Sequence, residues 1–472
     1  MRVVMKFGGT SVGSIDAIGR AAAIVERESR RHQVVVVVSA MNAPGLRTTD
    51  LLIEAARSAA SGNVRAADSA ALRLLEKHQD AAERLATSGD VYTLSQFLRA
   101  SFDHLEALYH SIAILGELTP RALDLISGLG EQWNARLFSA ALRAAGLSAE
   151  AIDATKLIVT NDRHGDASPL MEDTRVRSCG RLLPLLDEGT VPVVTGFVGA
   201  TPTGVPTTLG RGGSDFSCAI LGAALDADEV WFWKEVDGVM TGNPAVVSDA
   251  QTLPALSYTE MAELAYYGAN VLHPKTVHPV VQRQIPIRIL NTFNPDHPGT
   301  LVTAEAVPGT AKAVTAIRDV SLITVGGPGM LGLTGIAARI FAAVARAGAN
   351  ILLISQASSE QNVCLAVPRR EAKAALRELR RELASALSEH DVEHIDVLEP
   401  VVIVAVVGFG MRGTPGIAGT VFSTMGAERI NVIAIAQGST EYNISLVVSE
   451  ADGDNATRAI HRAFQMGAPR GD

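Results

Sequence analysis

The chain is poor in cysteine and has neither a basic run nor a long apolar run, and each shortage excludes something. Three cysteines in 472 residues, Cys179, Cys218 and Cys364, lie far apart without metal-ligand spacing. They fit a reducing compartment and offer no disulfide framework. Lys plus Arg number 41 against 50 for Asp plus Glu, a formal net charge of −9. An acidic chain is a poor general nucleic-acid binder, so an anionic substrate must be held by a few locally placed cations. No apolar stretch reaches the roughly 18 residues that a membrane span requires. A strand already starting at Val3 argues against a secretory leader. The expectation is a soluble, cytoplasmic protein with no membrane or nucleic-acid partner. A hydrophobic fraction of 47% over this length is enough for two or three domains with full cores.

What is present is concentrated first at the start. Apolar Val3, Val4 and Met5 lead into Lys6-Phe7-Gly8-Gly9-Thr10-Ser11-Val12-Gly13, a helical pattern from Ser14 to Arg31, and the run Val34 to Val38. That reads as strand, Gly-rich turn, helix and buried parallel strand. Two glycines let the backbone approach a ligand closely, and the following helix N-terminus suits an anion. Lys6 adds a mobile positive charge, and Thr10 and Ser11 add hydroxyls. The spacing is neither G-x-x-x-x-G-K-[ST] nor G-x-G-x-x-G. The alternative is a tight turn with an incidental lysine.

Further along, Arg47-Thr48-Thr49-Asp50 closes a second loop after a strand, where Thr49 or Asp50 could cap a helix, contact a ligand, or both. Leu51 to Ala145 reads as several helices. Glu117, between two of them, is by itself an ordinary surface glutamate. Val191 to Phe197 is another buried strand, and Gly210-Arg211-Gly212-Gly213-Ser214-Asp215 opens a helix running to Leu225. Arg211 can grip a carboxylate or phosphate with two parallel hydrogen bonds. Ser214 or Asp215 could instead be only an N-cap. A strand from Glu229 to Trp233 leads into the turn-rich Lys234 to Pro244, a helix spans Tyr258 to Tyr267, and Ile285 to Leu290 is a strand. His273, before Pro274, reads as structural. Asn291 to Thr310, with Pro295, Pro298 and Pro308, reads as an exit linker.

The last third contains a repeat. Val320 to Val367 aligns without gaps on Val401 to Val448, an offset of 81 residues. Gly329-Met330 falls on Gly410-Met411, Gly335-Ile336-Ala337 on Gly416-Ile417-Ala418, Gln356 on Gln437 and Glu360 on Glu441. Each copy reads βαββα, the ferredoxin-like pattern. Two copies imply side-by-side pairing with edge strands available to a partner chain. A Gly-rich turn and a Gln ending an apolar strand in each copy fit two equivalent small-ligand pockets.

The KFGGTSV start, the GRGGSD turn, the VDGV loop and the VLHPKT segment together resemble aspartate kinase, and the repeat resembles that family's paired ACT domains. The resemblance covers nearly the whole chain and no dehydrogenase domain follows, as in a monofunctional member. It implies an amino-acid-kinase α/β/α sandwich with a mostly parallel sheet over 1–300, then two ferredoxin-like α+β domains over 315–397 and 400–468. It implies transfer of the γ-phosphoryl of ATP, with Mg²⁺ on the phosphates, to the side-chain carboxylate of L-aspartate, the step that opens lysine, threonine and methionine synthesis. Carried over by motif, Lys6, Gly8, Gly9 and Thr10 would cradle the phosphate. Thr49, Glu117, Arg211 and Ser214 would hold aspartate, with Glu117 on its ammonium and Arg211 on its α-carboxylate. Asp215 would complete the catalytic group, and Lys234, Glu235, Met240 and Lys275 would border the nucleotide.

The chain departs from the family at the nucleotide loop. Many members read T-D-V-x-G-x-Y-T-T-D-P-R; here Lys234-Glu235 replaces Thr-Asp, Met240 replaces Tyr, Asn243 replaces Asp and Ala245 replaces the basic residue. Lys234 is a candidate to replace that missing contact. The paired ACT-like copies imply feedback by an end-product amino acid at Gln356 and Gln437, with threonine favoured over lysine, or lysine plus threonine. They also imply a homodimer or homotetramer. Kinases of the same fold acting on glutamate, acetylglutamate, carbamate or UMP would lack the repeat. A catalytically dead sensor is opposed by Lys6, Arg211 and Asp215.

Overall fold

The computed structural model describes residues 1–43, 45–268, 272, 274–305, 311–356 and 361–468. His273, Glu360 and residues 306–310 of the expected linker therefore lie outside the described residues. The chain divides into two compact units. The first comprises Met1–Val239, Pro254–Tyr258 and Asn270–Glu305; the second comprises Met240–Leu253, Thr259–Ala269 and Ala306–Asp472.

In the first unit the strands are β1 (Arg2–Phe7), β2 (Gln33–Val38), the short hairpin β3 (Asn42–Ala43) and β4 (Leu46–Arg47), β5 (Ala149–Ile152), β6 (Val191–Thr195), a second hairpin β7 (Val198–Ala200) and β8 (Pro206–Thr208), β9 (Glu229–Lys234), β10 (Ala255–Ser257), β11 (Ile287–Asn291) and β12 (Thr300–Thr303). Among the described residues eight of these form one sheet in the order β10-β12-β11-β9-β1-β2-β6-β5. All its pairings are parallel except β11 with β12. Val34 to Val38 are at most 2% exposed, which is why β2 is a continuous β-branched run rather than an alternating one. Each such side chain contributes about 1.5–3 kcal/mol on full burial.

The helices of this unit are α1 (Ile15–Ser29), α2 (Thr48–Ala60), α3 (Val64–Leu85), α4 (Ser88–Leu115), α5 (Pro120–Ser127), α6 (Leu129–Ala144), α7 (Met171–Asp187) and α8 (Gly213–Ala224). Two more follow later in the chain, α9 (Tyr258–Tyr266), which belongs to the second unit from Thr259 on, and α10 (Pro274–Arg283). Ser14 caps α1, its side chain accepting from the Ala17 N–H at 3.2 Å. The apolar faces of α1 to α4 and α6 share one core with β1, β2 and Trp233. No described helix is long and apolar enough to cross a membrane.

Two expectations need correction here. The expected linker is partly a strand: β12 bonds to both β10 and β11, and Val302 is fully buried. Its prolines flank β12 rather than interrupt it, so they do not prevent pairing. The three-residue β10, too short to show a period, was not foreseen.

The second unit holds an antiparallel six-stranded sheet built from β13 (Ala313–Gly326), β14 (Leu353–Gln356), β15 (Asn362–Pro368), β16 (His394–Val407), β17 (Ala434–Ala436) and β18 (Asn443–Ser449), in the order β14-β15-β13-β16-β18-β17. Its helices are α11 (Ile336–Arg346), α12 (Arg369–Glu382), the short α13 (Ala384–Ser388), α14 (Ile417–Ala427) and α15 (Gly453–Ala463). The copies pair side by side through β13 and β16, and each of these long strands serves both halves of the sheet. Gly335 and Gly416 start α11 and α14 with φ of +88° and +93°, left-handed values that favour glycine. Met330 and Met411 are buried in the two corresponding cores.

Candidate active site

The carboxyl ends of β1, β2 and β6 open onto one cavity of about 480 Å³, lined by Lys6, Gly9, Ser39, Asn42, Thr49, Arg211, Ser214 and Asp215 among others. Open parallel sheets bind ligands at such ends. Lys6 Nζ lies 2.5 Å from Asp215 Oδ1, and Lys234 Nζ, from the end of β9, lies 2.6 Å from Oδ2. Burial alone would raise the Asp215 carboxyl; Lys234 and Lys6 outweigh it and hold its pKa at about 2. Lys234 is pushed down, first by burial and then by the like charge of Lys6, against the pull of Asp215. A Cβ on Gly8 would come 3.3 Å from Lys6 Nζ, so glycine leaves that ammonium its room.

Gly212, with φ of +73°, turns the chain into α8. Neither Ser214 nor Asp215 caps this helix, which has no side-chain cap; both sit in its first turn and line the cavity. Arg211 is exposed at the rim and has no hydrogen bond or ion pair with a described residue. Phe197, also in the wall, has φ of +70°, the kind of backbone strain that collects at functional sites.

Glu117 does not reach the cavity. It is exposed, one residue beyond the left-handed Gly116 that ends α4. The acid that does line the cavity is Glu131, 3% exposed on α6. Its Oε1 accepts from the Ala40 N–H at 3.2 Å, and its Oε2 is buried without a partner. Burial raises its pKa to about 8, against the Ala40 hydrogen bond and the charge of Lys6. Gly130 permits this placement, because a Cβ there would meet Ala40 Cβ at 2.8 Å. The signal was present in the sequence: Asp124, Ser127, Glu131 and Asn134 form a polar stripe at helical spacing, and all four are buried.

The other expected site residues are dispersed. Thr10 and Glu235 are exposed and do not line the cavity. Thr49 lines it from the first turn of α2 and caps nothing. Lys275 pairs with Asp166, and Met240 belongs to the second unit. In that unit Gln356 borders a cavity of about 370 Å³ with Met330, Gly332, Gly335 and Ala337. Gln356 and Gln437 are both exposed, and in the second copy the Gly413 N–H donates to Glu441 Oε2 at 2.7 Å.

Among the described residues no three His, Cys, Asp or Glu side chains come together to hold a metal ion. Asp215, the acid among the cations, has a lysine on each oxygen. This donor set does not fit a protein-held ion.

A family model described as "Amino acid kinase family" matches residues 1–291, and one described as "ACT domain" matches 323–383 and 404–464. Aspartokinase 3 of Arabidopsis thaliana is 33% identical over 469 residues, 98% of this chain and 81% of that one. The chain belongs to the aspartokinase family. A bifunctional aspartokinase/homoserine dehydrogenase 2 of the same plant is 37% identical, and this chain spans about half (50%) of its length. The crystal structure of E. coli aspartokinase III in complex with aspartate and ADP superposes with a TM-score of 0.80 at 30% identity, over 98% of this chain and 99% of that one. The same enzyme with lysine and aspartate gives 0.77.

Proposed function

We propose that the chain transfers the γ-phosphoryl group of ATP to the side-chain carboxylate of L-aspartate, giving 4-phospho-L-aspartate. One observation carries this reading. A single cavity combines an unpaired guanidinium, an unpartnered buried carboxylate oxygen and a carboxylate clamped by two lysines. Arg211 binds the α-carboxylate of aspartate and Glu131 its ammonium, the role first expected of Glu117. Ser214 and Thr49 fix the substrate's orientation. An ionised carboxylate needs no general base, so the task is to bring two anions together. Lys6, with Gly8 and Gly9 beside it, meets the charge on the transferring group, and Lys234 releases Asp215 to meet the phosphates. A lysine at ~4 Å from developing charge supplies about 4 kcal/mol at an effective dielectric of about 20. Phosphoryl transfer is mostly such positioning and charge stabilisation. Mg²⁺ belongs to the nucleotide's phosphates. The aspartate and ADP bound by the E. coli enzyme support the same pair of ligands here.

The proposal extends to regulation. Threonine binds against Gln356 and Gln437. The lysine bound by the E. coli relative makes lysine the rival effector. The edge strands β14 and β17 suit assembly into a homodimer or homotetramer. The decisive assay is ATP turnover with L-aspartate and hydroxylamine trapping of the acyl phosphate. No trapped hydroxamate from folded protein would sink the kinase reading.

A further inference from the structure

We propose that Asp124 is a positioning residue that sets the aspartate-binding end of the cavity, an inference that rests on the kinase reading above. Asp124 is on α5, 3% exposed, and lines the cavity. Its Oδ1 accepts from the Thr208 hydroxyl at 2.6 Å and the Gly165 N–H at 3.1 Å. Its Oδ2 accepts from the same N–H at 3.1 Å and faces His164 Nδ1 at 2.7 Å. One carboxylate therefore ties together α5, the 161–168 loop and β8. Thr208 is the last residue of β8, and Leu209-Gly210-Arg211 follows it directly. The anchor of β8 is thus also the anchor of the turn that carries Arg211.

The contrast with Glu131 assigns the two acids of the stripe. Glu131 keeps one buried oxygen without a partner, which leaves it for a ligand. Asp124 has both oxygens engaged by protein donors, which leaves it no capacity for an ammonium but makes it the joint of the wall. The opposite side of the same loop is held by Asp166 through Lys275. Asparagine replaces Asp124 only in part, because it has one acceptor oxygen and its amide N–H group would face the Gly165 N–H where the carboxylate accepts.

The experiment compares wild type, Asp124→Asn and Thr208→Val in steady-state turnover, with ATP binding measured by calorimetry. Freeing the Arg211 turn should raise the KM for aspartate about tenfold in Asp124→Asn, since small misplacements at a reacting centre cost up to ~10²-fold. kcat and ATP affinity should stay within about threefold, because the lysine cluster is untouched. A purely structural role would lower folded protein and all constants together without this split. Should Asp124→Asn fail to fold, Thr208→Val decides, as it removes one hydroxyl at nearly constant volume. An unchanged aspartate KM in the folded variants overturns the inference while wild-type turnover keeps the kinase reading. Absence of turnover in wild type overturns that reading instead.

Discussion

Lys234 Nζ stands 2.6 Å from Asp215 Oδ2, on the opposite carboxylate oxygen from Lys6. Two ammonium groups share one carboxylate, so this end of the cavity carries a net positive charge that an incoming phosphate can claim. Many members of the family read threonine where Lys234 stands, so the second cation departs from that common pattern. The two lysines should differ in effect. Lys6→Ala should lower kcat by about 10²–10³-fold, the usual cost of removing one preorganised charge-stabilising donor. Lys234→Thr should raise the KM for ATP more than it lowers kcat. Trapped hydroxamate measured against each substrate separates the cases; equal kcat losses would show that the lysines act as one group.

Glu131 gives the site a pH signature. Its carboxyl holds a proton in the folded state up to about pH 8, against a reference of 4.5. A group that binds an ammonium must be ionised, so the KM for aspartate should fall as pH rises toward 8, and binding below that pH should release a proton. Calorimetry in buffers of different ionisation enthalpy reads that proton directly. Stability runs the other way. Between the two pKa values the folded state binds more protons than the unfolded, so Glu131 costs stability as pH rises, by up to about 1.4 kcal/mol per unit. Glu131→Gln should therefore melt higher than wild type at pH 8, melt alike near pH 4.5, and lose aspartate affinity far more at pH 8 than near pH 4.5.

Much of this was legible beforehand, for physical reasons that also mark its limits. Val34 to Val38 announced a buried parallel strand because no other environment accepts such a run. Lys6, Arg211 and Asp215 were legible because cations, acids and glycines crowd at strand ends and helix starts. Glu131 was not, because a Gly-Glu pair inside a long helical stretch looks like surface until the Asp124 to Asn134 stripe is read as a buried face. β10 and β12 escaped because three or four residues carry no usable period. The repeat was clear from the 81-residue offset, because the glycines and apolar positions of the two copies recur without a gap.

The second unit contains a fully buried ion pair, Lys312 with Glu260 at 2.9 Å, and Glu260 also accepts from the Phe409 N–H at 2.8 Å. Glu260 lies within the residues matched by the amino-acid-kinase family, yet it folds with the repeat. Lys312→Met should cost about 3–5 kcal/mol, since it leaves a buried carboxylate without its cation. Adding Glu260→Gln should recover much of that loss. All three tryptophans, Trp133, Trp231 and Trp233, are in the first unit. Denaturation followed by circular dichroism but silent in tryptophan fluorescence therefore reports the second unit alone. A loss of less than about 1 kcal/mol in Lys312→Met would place this pair with ordinary exposed bridges.

Glu441 sets the last prediction. Its carboxylate accepts the Gly413 N–H at 2.7 Å. An amino-acid effector brings a carboxylate of its own, so in the second copy it competes with a group the chain already supplies. A charge-assisted hydrogen bond is worth about 1.5–3 kcal/mol, so removing that competitor should strengthen effector binding there by roughly tenfold. Glu441→Ala should therefore tighten threonine binding measured by calorimetry, and Gln437→Ala should weaken it. An unchanged affinity in Glu441→Ala would mean that Glu441 swings away at no cost and plays no part in effector binding.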